Sequence, residues 1–126
     1  MSVVGIGTDI VEVSRVEQMS DAARLRLAKR VLTPTEFPTF EKHNFPHTYL
    51  AKRWAAKEAA SKALGTGIAQ GVSFQHFQID NDSLGKPELT LSGEALEKAQ
   101  SLGASHWHIS ISDEKHYALA FVVLSK

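Results

Sequence analysis

Apolar and polar positions change period several times along the chain, and each change marks an element. Residues 3–13, VVGIGTDIVEV, are rich in β-branched side chains and predict a strand ending over Asp9 to Val13. Gly5 and Gly7 interrupt it, as at a bulge or a close backbone approach. Ser14 followed by Glu17 has the form of a capping box, so a short helix should begin there. Ser20 or Asp21 caps a second helical stretch, with Leu25, Ala28 and Leu32 on one face and the basic residues largely on another. Thr33-Pro34-Thr35-Glu36 is the clearest helix start: Thr33 as N-cap, Pro34 as first helical residue, Glu36 as the returning carboxylate. That helix should stop before Phe45-Pro46. The longest helical segment runs from roughly Thr48 to Leu64 and closes on Gly65.

Val72 to Ile79 reads as a strand, Asp80 to Lys86 as a turn, and Glu88 to Leu91 as a short strand after Pro87. Ser92 caps a helix ending at Gly103. His106 to Ser112 alternates, with Trp107, Ile109 and Ile111 on one face. Tyr117 to Leu124 is its partner strand and is apolar on both faces, so it is either covered on both sides within one chain or buried against other subunits. With no βαβ repeat, the reading is α+β: a small antiparallel sheet packed with a long central helix and shorter helices, in a single domain over 1–126.

Composition removes several function classes. The 126 residues include 43% apolar side chains and no cysteine, which excludes disulfides and thiolate chemistry. The longest apolar run, Ala118 to Leu124, falls far short of the ~20 residues of a membrane-crossing helix. With no signal peptide in view, a cytoplasmic protein is expected. Fourteen Lys and Arg balance fourteen Asp and Glu, which argues against a nucleic-acid coat or a membrane-surface binder. Between Ser14 and Leu32, however, Arg15, Arg24, Arg26, Lys29 and Arg30 face only Glu17 and Asp21, a basic patch suited to a specific anionic partner.

The long helix divides its faces. At ~100° per residue, Ala56, Ala59, Ala60 and Ala63 gather on one side, and Trp54, Glu58, Ser61 and Lys62 on the other. Glu58 and Lys62 can pair one turn apart, as a solvated ion pair or as part of a site. Trp54 beside them is out of keeping with a purely solvated face. The Gly65-Thr66-Gly67 turn supplies backbone that can approach a phosphate. Asp9, inside an apolar strand, is either a turn residue or a ligand to a hard metal. Two carboxylates from separate elements are a common way to hold Mg²⁺ against phosphates.

Ile6-Gly7-Thr8-Asp9 and Arg53-Trp54-Ala55-Ala56-Lys57-Glu58-Ala59-Ala60-Ser61-Lys62 resemble the two signature motifs of the phosphopantetheinyl transferases. GIGTDIVEVSRVE, RWAAKEAASKALGTGI, LGKPELTLSGEAL and HISISDEKHYALAFVV, in that order, make nearly the whole chain similar to the short bacterial holo-acyl-carrier-protein synthase subgroup. The resemblance implies transfer of the 4′-phosphopantetheine arm of coenzyme A to a serine of apo-acyl carrier protein, with adenosine 3′,5′-bisphosphate leaving, in fatty acid biosynthesis. It places Asp9 and Glu58 as Mg²⁺ ligands and Lys62 on the diphosphate. In such a transfer Glu58, directly or through a bound water, would take the serine proton. By the same resemblance Arg53 would meet the 3′-phosphate, Lys86 and Pro87 would lie beside the nucleotide, and His108 would contact the nucleotide from an adjacent subunit. The resemblance also implies that Arg15, Arg24 and Arg26 meet the acidic carrier protein. The resemblance further implies a homotrimer with coenzyme A at the subunit interfaces.

His106, His108 and His116 also allow a zinc reading, since His-x-His on a strand shares one face, or simply the wetter face of a hairpin. Gly85 before Lys86-Pro87 suits turn chemistry as well as a phosphate contact. Two further functions remain open: a Mg²⁺-dependent phosphohydrolase on another diphosphate, and a non-enzymatic trimeric scaffold for an acidic partner.

Overall fold

The computed structural model describes residues 2–126. Strand β1 (Val3–Glu12) leads into α1 (Val13–Glu17), α2 (Asp21–Val31), α3 (Phe37–Lys42) and the long α4 (Pro46–Leu64). A hairpin of β2 (Phe77–Asn81) and β3 (Pro87–Leu91) follows, then α5 (Gly93–Ser101), β4 (His106–Asp113) and β5 (Tyr117–Ser125). β5 is the middle strand of an antiparallel sheet in the order β1-β5-β4, while β2 and β3 form a second, two-stranded sheet. The α+β architecture is the expected one.

Helix α4 lies across β1 and β5 and is the centre of the core. Contact is closest at Gly5 and Gly7, where an added Cβ would be driven into the carbonyl oxygens of Ala63 and Ala59. The alanines and the glycines answer each other: small side chains on the helix and none on the strand let the two backbones touch. The bulge is present too, as a register shift between Val3 and Gly5.

α4 is buried almost all the way round. Ala55, Ala56, Lys57, Ala59, Ala60, Ser61 and Ala63 are all enclosed, and past its first turns only the line Trp54, Glu58, Lys62 reaches solvent. Ser61, expected on the polar side, is fully buried, and its hydroxyl donates to the Glu58 carbonyl at 2.7 Å. A hydroxyl that returns to its own helix backbone can be enclosed without an unsatisfied group.

Four local expectations change. The Ser14–Glu17 box does not form, because the chain passes directly from β1 into α1 and Glu12 takes the N-cap place. There the Val13 N–H bonds the His116 carbonyl at 2.8 Å. The Thr33–Glu36 box does close, Thr33 N–H to Glu36 Oε1 at 2.9 Å and Glu36 N–H to Thr33 Oγ1 at 3.3 Å, but α3 begins only at Phe37. The strand expected from Val72 starts at Phe77, because Ser73 and His76 cap a 3₁₀ turn over Phe74–His76. α4 starts at Pro46 rather than Thr48, with the proline in its first turn. Ser20 caps α2 by accepting the Ala23 N–H at 3.1 Å, and Gly65 ends α4 at φ 82°.

Pairing of Ile6 with Val123, Thr8 with Phe121 and Ile10 with Leu119 gives the sheet two different faces. The inner one, Val11, Ala118, Ala120, Val122 and Leu124, packs on α4. The outer one leaves Ile6 63% and Phe121 43% exposed, with Ile10, Leu119 and Tyr117 also open. β5 is therefore covered on one side only within the chain.

Candidate active site

Two residues after Gly7, Asp9 points from the inner face of β1 toward the exposed line of α4. Lys62 Nζ donates to Asp9 Oδ1 at 2.8 Å and to the Thr8 carbonyl at 3.3 Å, and the Asp9 side chain is only 18% exposed. The expected Glu58–Lys62 pair is replaced by this cross-element one, because β1 runs so close to α4 that Asp9 offers Lys62 an acceptor with a backbone carbonyl beside it.

Glu58 stands one turn before Lys62, with its carboxyl raised above the ordinary range. Burial is the main cause, and the negative charge of Asp9 adds to it, while Lys62, Arg30 and Arg15 pull it back. The two carboxylates thus crowd each other within a ring of cations. The hydrogen bond to Asp9 in turn holds the Lys62 ammonium above its usual range. Hard oxygen donors on two elements, repelling each other, fit a small divalent cation that takes few protein ligands.

Trp54 completes the line, with the Arg15 guanidinium 4.7 Å from its ring centroid. Arg30, read from the sequence only as a member of the basic patch, lies over Phe74 at 5.3 Å and also influences Glu58. After α4 the chain turns sharply: the Gly65 N–H closes on the Lys62 carbonyl (3.0 Å) and the Gly67 N–H on the Ser61 carbonyl (3.1 Å). Thr66 Oγ1 donates to the Gly67 carbonyl at 2.8 Å. Those two N–H groups finish the helix and are not spare donors for a phosphate; what the turn offers is room, since nothing lies within 4 Å of a Cβ at Gly65.

The other expected residues lie elsewhere. Lys86, Pro87 and His108 line one groove of about 520 Å³ with Ser105, His106 and Trp107. His108 is exposed on the outer face of β4, its Nε2 3.4 Å from Ser125 Oγ. None of Asp9, Glu58 and Lys62 lines this groove, and β1 and β4 are opposite edges of the sheet. Arg53 is buried beside a separate cavity of about 310 Å³ that shares Pro87 with the groove. Among the described residues no cluster of three or more histidines or carboxylates could hold a metal, so the zinc reading has no support.

The basic segment divides. Arg15 and Arg26 are exposed. Arg24 is a brace: its side chain is 13% exposed and bonds the carbonyls of Val16 (3.1 Å), Glu17 (2.9 Å) and Met19 (2.7 Å) and the Asp21 carboxylate (3.0 Å). These bonds take up the last carbonyls of α1. Sequence reasoning missed the burial of Lys57 and the reach of Glu36; the Thr33–Glu36 capping pattern marked Glu36 only as a local cap.

The family model described as the 4′-phosphopantetheinyl transferase superfamily matches residues 5–122. The chain belongs to that superfamily. It is 52% identical over 124 residues to the holo-[acyl-carrier-protein] synthase of Salmonella arizonae, covering 98% of this chain and 95% of the relative. The crystal structure of the Neisseria meningitidis holo-[acyl-carrier-protein] synthase superposes with a TM-score of 0.88 at 46% identity, covering 99% of this chain and 100% of the other. A Bacillus anthracis holo-(acyl-carrier-protein) synthase solved in complex with CoA (3′,5′-ADP) superposes at 0.79 with 40% identity, covering 97% and 96%.

Proposed function

We propose that this phosphopantetheinyl transferase moves the 4′-phosphopantetheine group of coenzyme A onto a serine of apo-acyl carrier protein, with Mg²⁺ held by Asp9 and Glu58. The observation that carries the reading is the convergence of Asp9, Glu58 and Lys62 on the one solvent-facing strip of an otherwise enclosed helix. Mg²⁺ bound there would offset the charge of the coenzyme A diphosphate. Phosphoryl transfer asks chiefly for positioning and charge neutralisation, which is what these side chains supply.

Lys62 steadies the diphosphate and the departing adenosine 3′,5′-bisphosphate. Glu58, directly or through a water it holds, accepts the serine proton. The serine oxygen forms its bond to the phosphorus that carries the pantetheine arm, and the bond from that phosphorus to the bridging oxygen breaks. The electron pair leaves with the bisphosphate.

His108 serves the nucleotide end of coenzyme A from a neighbouring subunit, with Lys86 and Pro87 in the same groove, and Arg53, whose cavity shares Pro87 with that groove, takes the 3′-phosphate. That assignment needs more than one chain, because the groove and the carboxylates lie at opposite edges of the sheet. The outer sheet face, with Ile6, Ile10, Leu119 and Phe121 open, is the surface on which three copies would meet. Arg15 and Arg26 meet the acidic carrier protein, and Arg24 supports them by fixing the turn between α1 and α2.

Incubation with apo-carrier protein, coenzyme A and Mg²⁺ tests the reading by mass spectrometry. The carrier protein should gain ~340 Da, the phosphopantetheinyl group. Loss of diphosphate from coenzyme A with no gain in mass would favour a phosphohydrolase, and no turnover at all a scaffold.

A further inference from the structure

A second charged cluster sits under the surface on the far side of α4. Lys57 is fully buried, and its Nζ donates to Glu36 Oε1 and to the Val31 carbonyl, both at 2.6 Å. The same carboxylate accepts the Thr33 N–H at 2.9 Å and the Ile79 N–H at 2.8 Å. Arg53 lies 3.7 Å from Glu36 Oε2, donates to the Ile79 carbonyl, and is stacked 5.0 Å from the ring centroid of Tyr49. The Tyr49 hydroxyl donates to the Glu36 carbonyl at 3.4 Å. Burial holds the Lys57 ammonium below its usual range, against the pull of Glu36.

Stability alone does not explain such a cluster. Buried ion pairs are commonly matched by apolar side chains of similar volume. Its geometry does something apolar side chains could not: it holds the Arg53 guanidinium from three sides, by ring, carbonyl and carboxylate. Arg53 lines the 310 Å³ cavity together with Glu36, Tyr49, Lys52, Gly85 and Pro87. Asp80 also lines that cavity, and Lys52 is paired with Asp113 at 3.3 Å, so Arg53 is the cation whose direction is set from within the core.

We propose that Glu36 is a positioning residue for the nucleotide end of the donor: its carboxylate, locked by Lys57 and two backbone N–H groups, keeps Arg53 aimed at the cavity and so sets the preference for a donor bearing a 3′-phosphate. The proposal rests on the reading of Arg53 as the 3′-phosphate contact. Glu36 also borders the cavity, but its side chain is only 2% exposed and its oxygens are taken by Lys57, Thr33 N–H and Ile79 N–H, so it acts through Arg53 and not on the donor directly. A planar, bidentate guanidinium discriminates only when its direction is fixed, and direction is what this carboxylate supplies.

The test compares dissociation constants for coenzyme A and 3′-dephospho-coenzyme A by calorimetry. Arg53→Gln should reduce the preference for coenzyme A by roughly tenfold to a hundredfold. Glu36→Gln, which keeps the shape and loses the charge, should reduce it by roughly fivefold or more while leaving dephospho-coenzyme A binding within about twofold of the parent. If Glu36→Gln does not fold, Glu36→Gln/Lys57→Met removes both buried charges together and carries the same comparison. An unchanged preference in Arg53→Gln overturns the reading of Arg53. A preference lowered in Arg53→Gln but unchanged in the Glu36 variants overturns the positioning role and leaves Arg53 standing. Equal weakening of both donors, or failure of both Glu36 variants to fold, makes Glu36 a structural residue and overturns the proposal.

Discussion

Helix α4 carries two charged clusters on opposite flanks, and they are built on opposite terms. Asp9, Glu58 and Lys62 sit at the surface with Lys62 half exposed, and Glu58 is strained toward its neutral form by burial and by Asp9. Glu36, Lys57 and Arg53 sit inside with their polar atoms satisfied. An exposed ion pair contributes at most about 1 kcal/mol to stability. Breaking a buried one costs about 3–5 kcal/mol. The surface cluster therefore contributes little to the fold and is free to serve a ligand, whereas the buried one fixes the helix against the loop before α3 and against β2.

Substitutions should separate the two. The largest effect on turnover is expected from Asp9→Asn or Glu58→Gln, which should lower kcat by roughly 10²- to 10⁴-fold while Tm stays within a few degrees of the parent. Unimpaired turnover in both would remove the carboxylates from the chemistry. Lys57→Met should do the reverse, lowering stability by about 3–5 kcal/mol in urea titration because the buried Glu36 loses its closest cation and keeps only the longer contact to Arg53. A loss below about 1 kcal/mol would show that the buried cluster relaxes. Gly7→Ala lies between the two, since a methyl there must lift β1 off α4; it should cost about 1–3 kcal/mol and displace Asp9, so both stability and turnover should fall.

Glu58 also allows a pH experiment on the metal-free chain. Its carboxyl titrates higher when folded than when unfolded. The folded state then binds more protons between the two values, and stability falls as pH rises through that window. Glu58→Gln should consequently be slightly stabilising at neutral pH, with the gain vanishing in acid, where the parent carboxyl is protonated in both states. A gain that persists in acid would point to another cause. The smallest effect is expected from Arg26→Glu, whose charge does not act on Glu58: a rise of roughly threefold to tenfold in KM for carrier protein, a weaker salt dependence and an unmoved KM for coenzyme A.

The surface cluster was more legible in the sequence than the buried one, for a physical reason. Helical spacing shows which side chains share a line, so Trp54, Glu58 and Lys62 could be placed together, and a carboxylate after a glycine in an apolar strand drew attention to Asp9. Spacing does not say how many neighbours cover a helix. α4 is enclosed by β1, β5 and the segments carrying α1 to α3, so Ser61 and Lys57 went inside although their chemistry suggests otherwise. Glu36 was visible as a cap, and its cap bonds form, but its second task depends on Ile79, 43 residues away. For the same reason a nucleotide role for His108 could be named only through resemblance: its strand position is readable, whereas its distance from Asp9 within one chain follows from sheet order.

The central claim is that Asp9 and Glu58 together grip one divalent cation beside the donor diphosphate. Titration of Mn²⁺ into the protein with coenzyme A present, followed by electron paramagnetic resonance, tests it most directly. One bound ion per chain is expected for the parent, with binding lost or weakened at least about tenfold in Asp9→Asn and in Glu58→Gln alike. Undiminished binding of Mn²⁺ in either variant would contradict it.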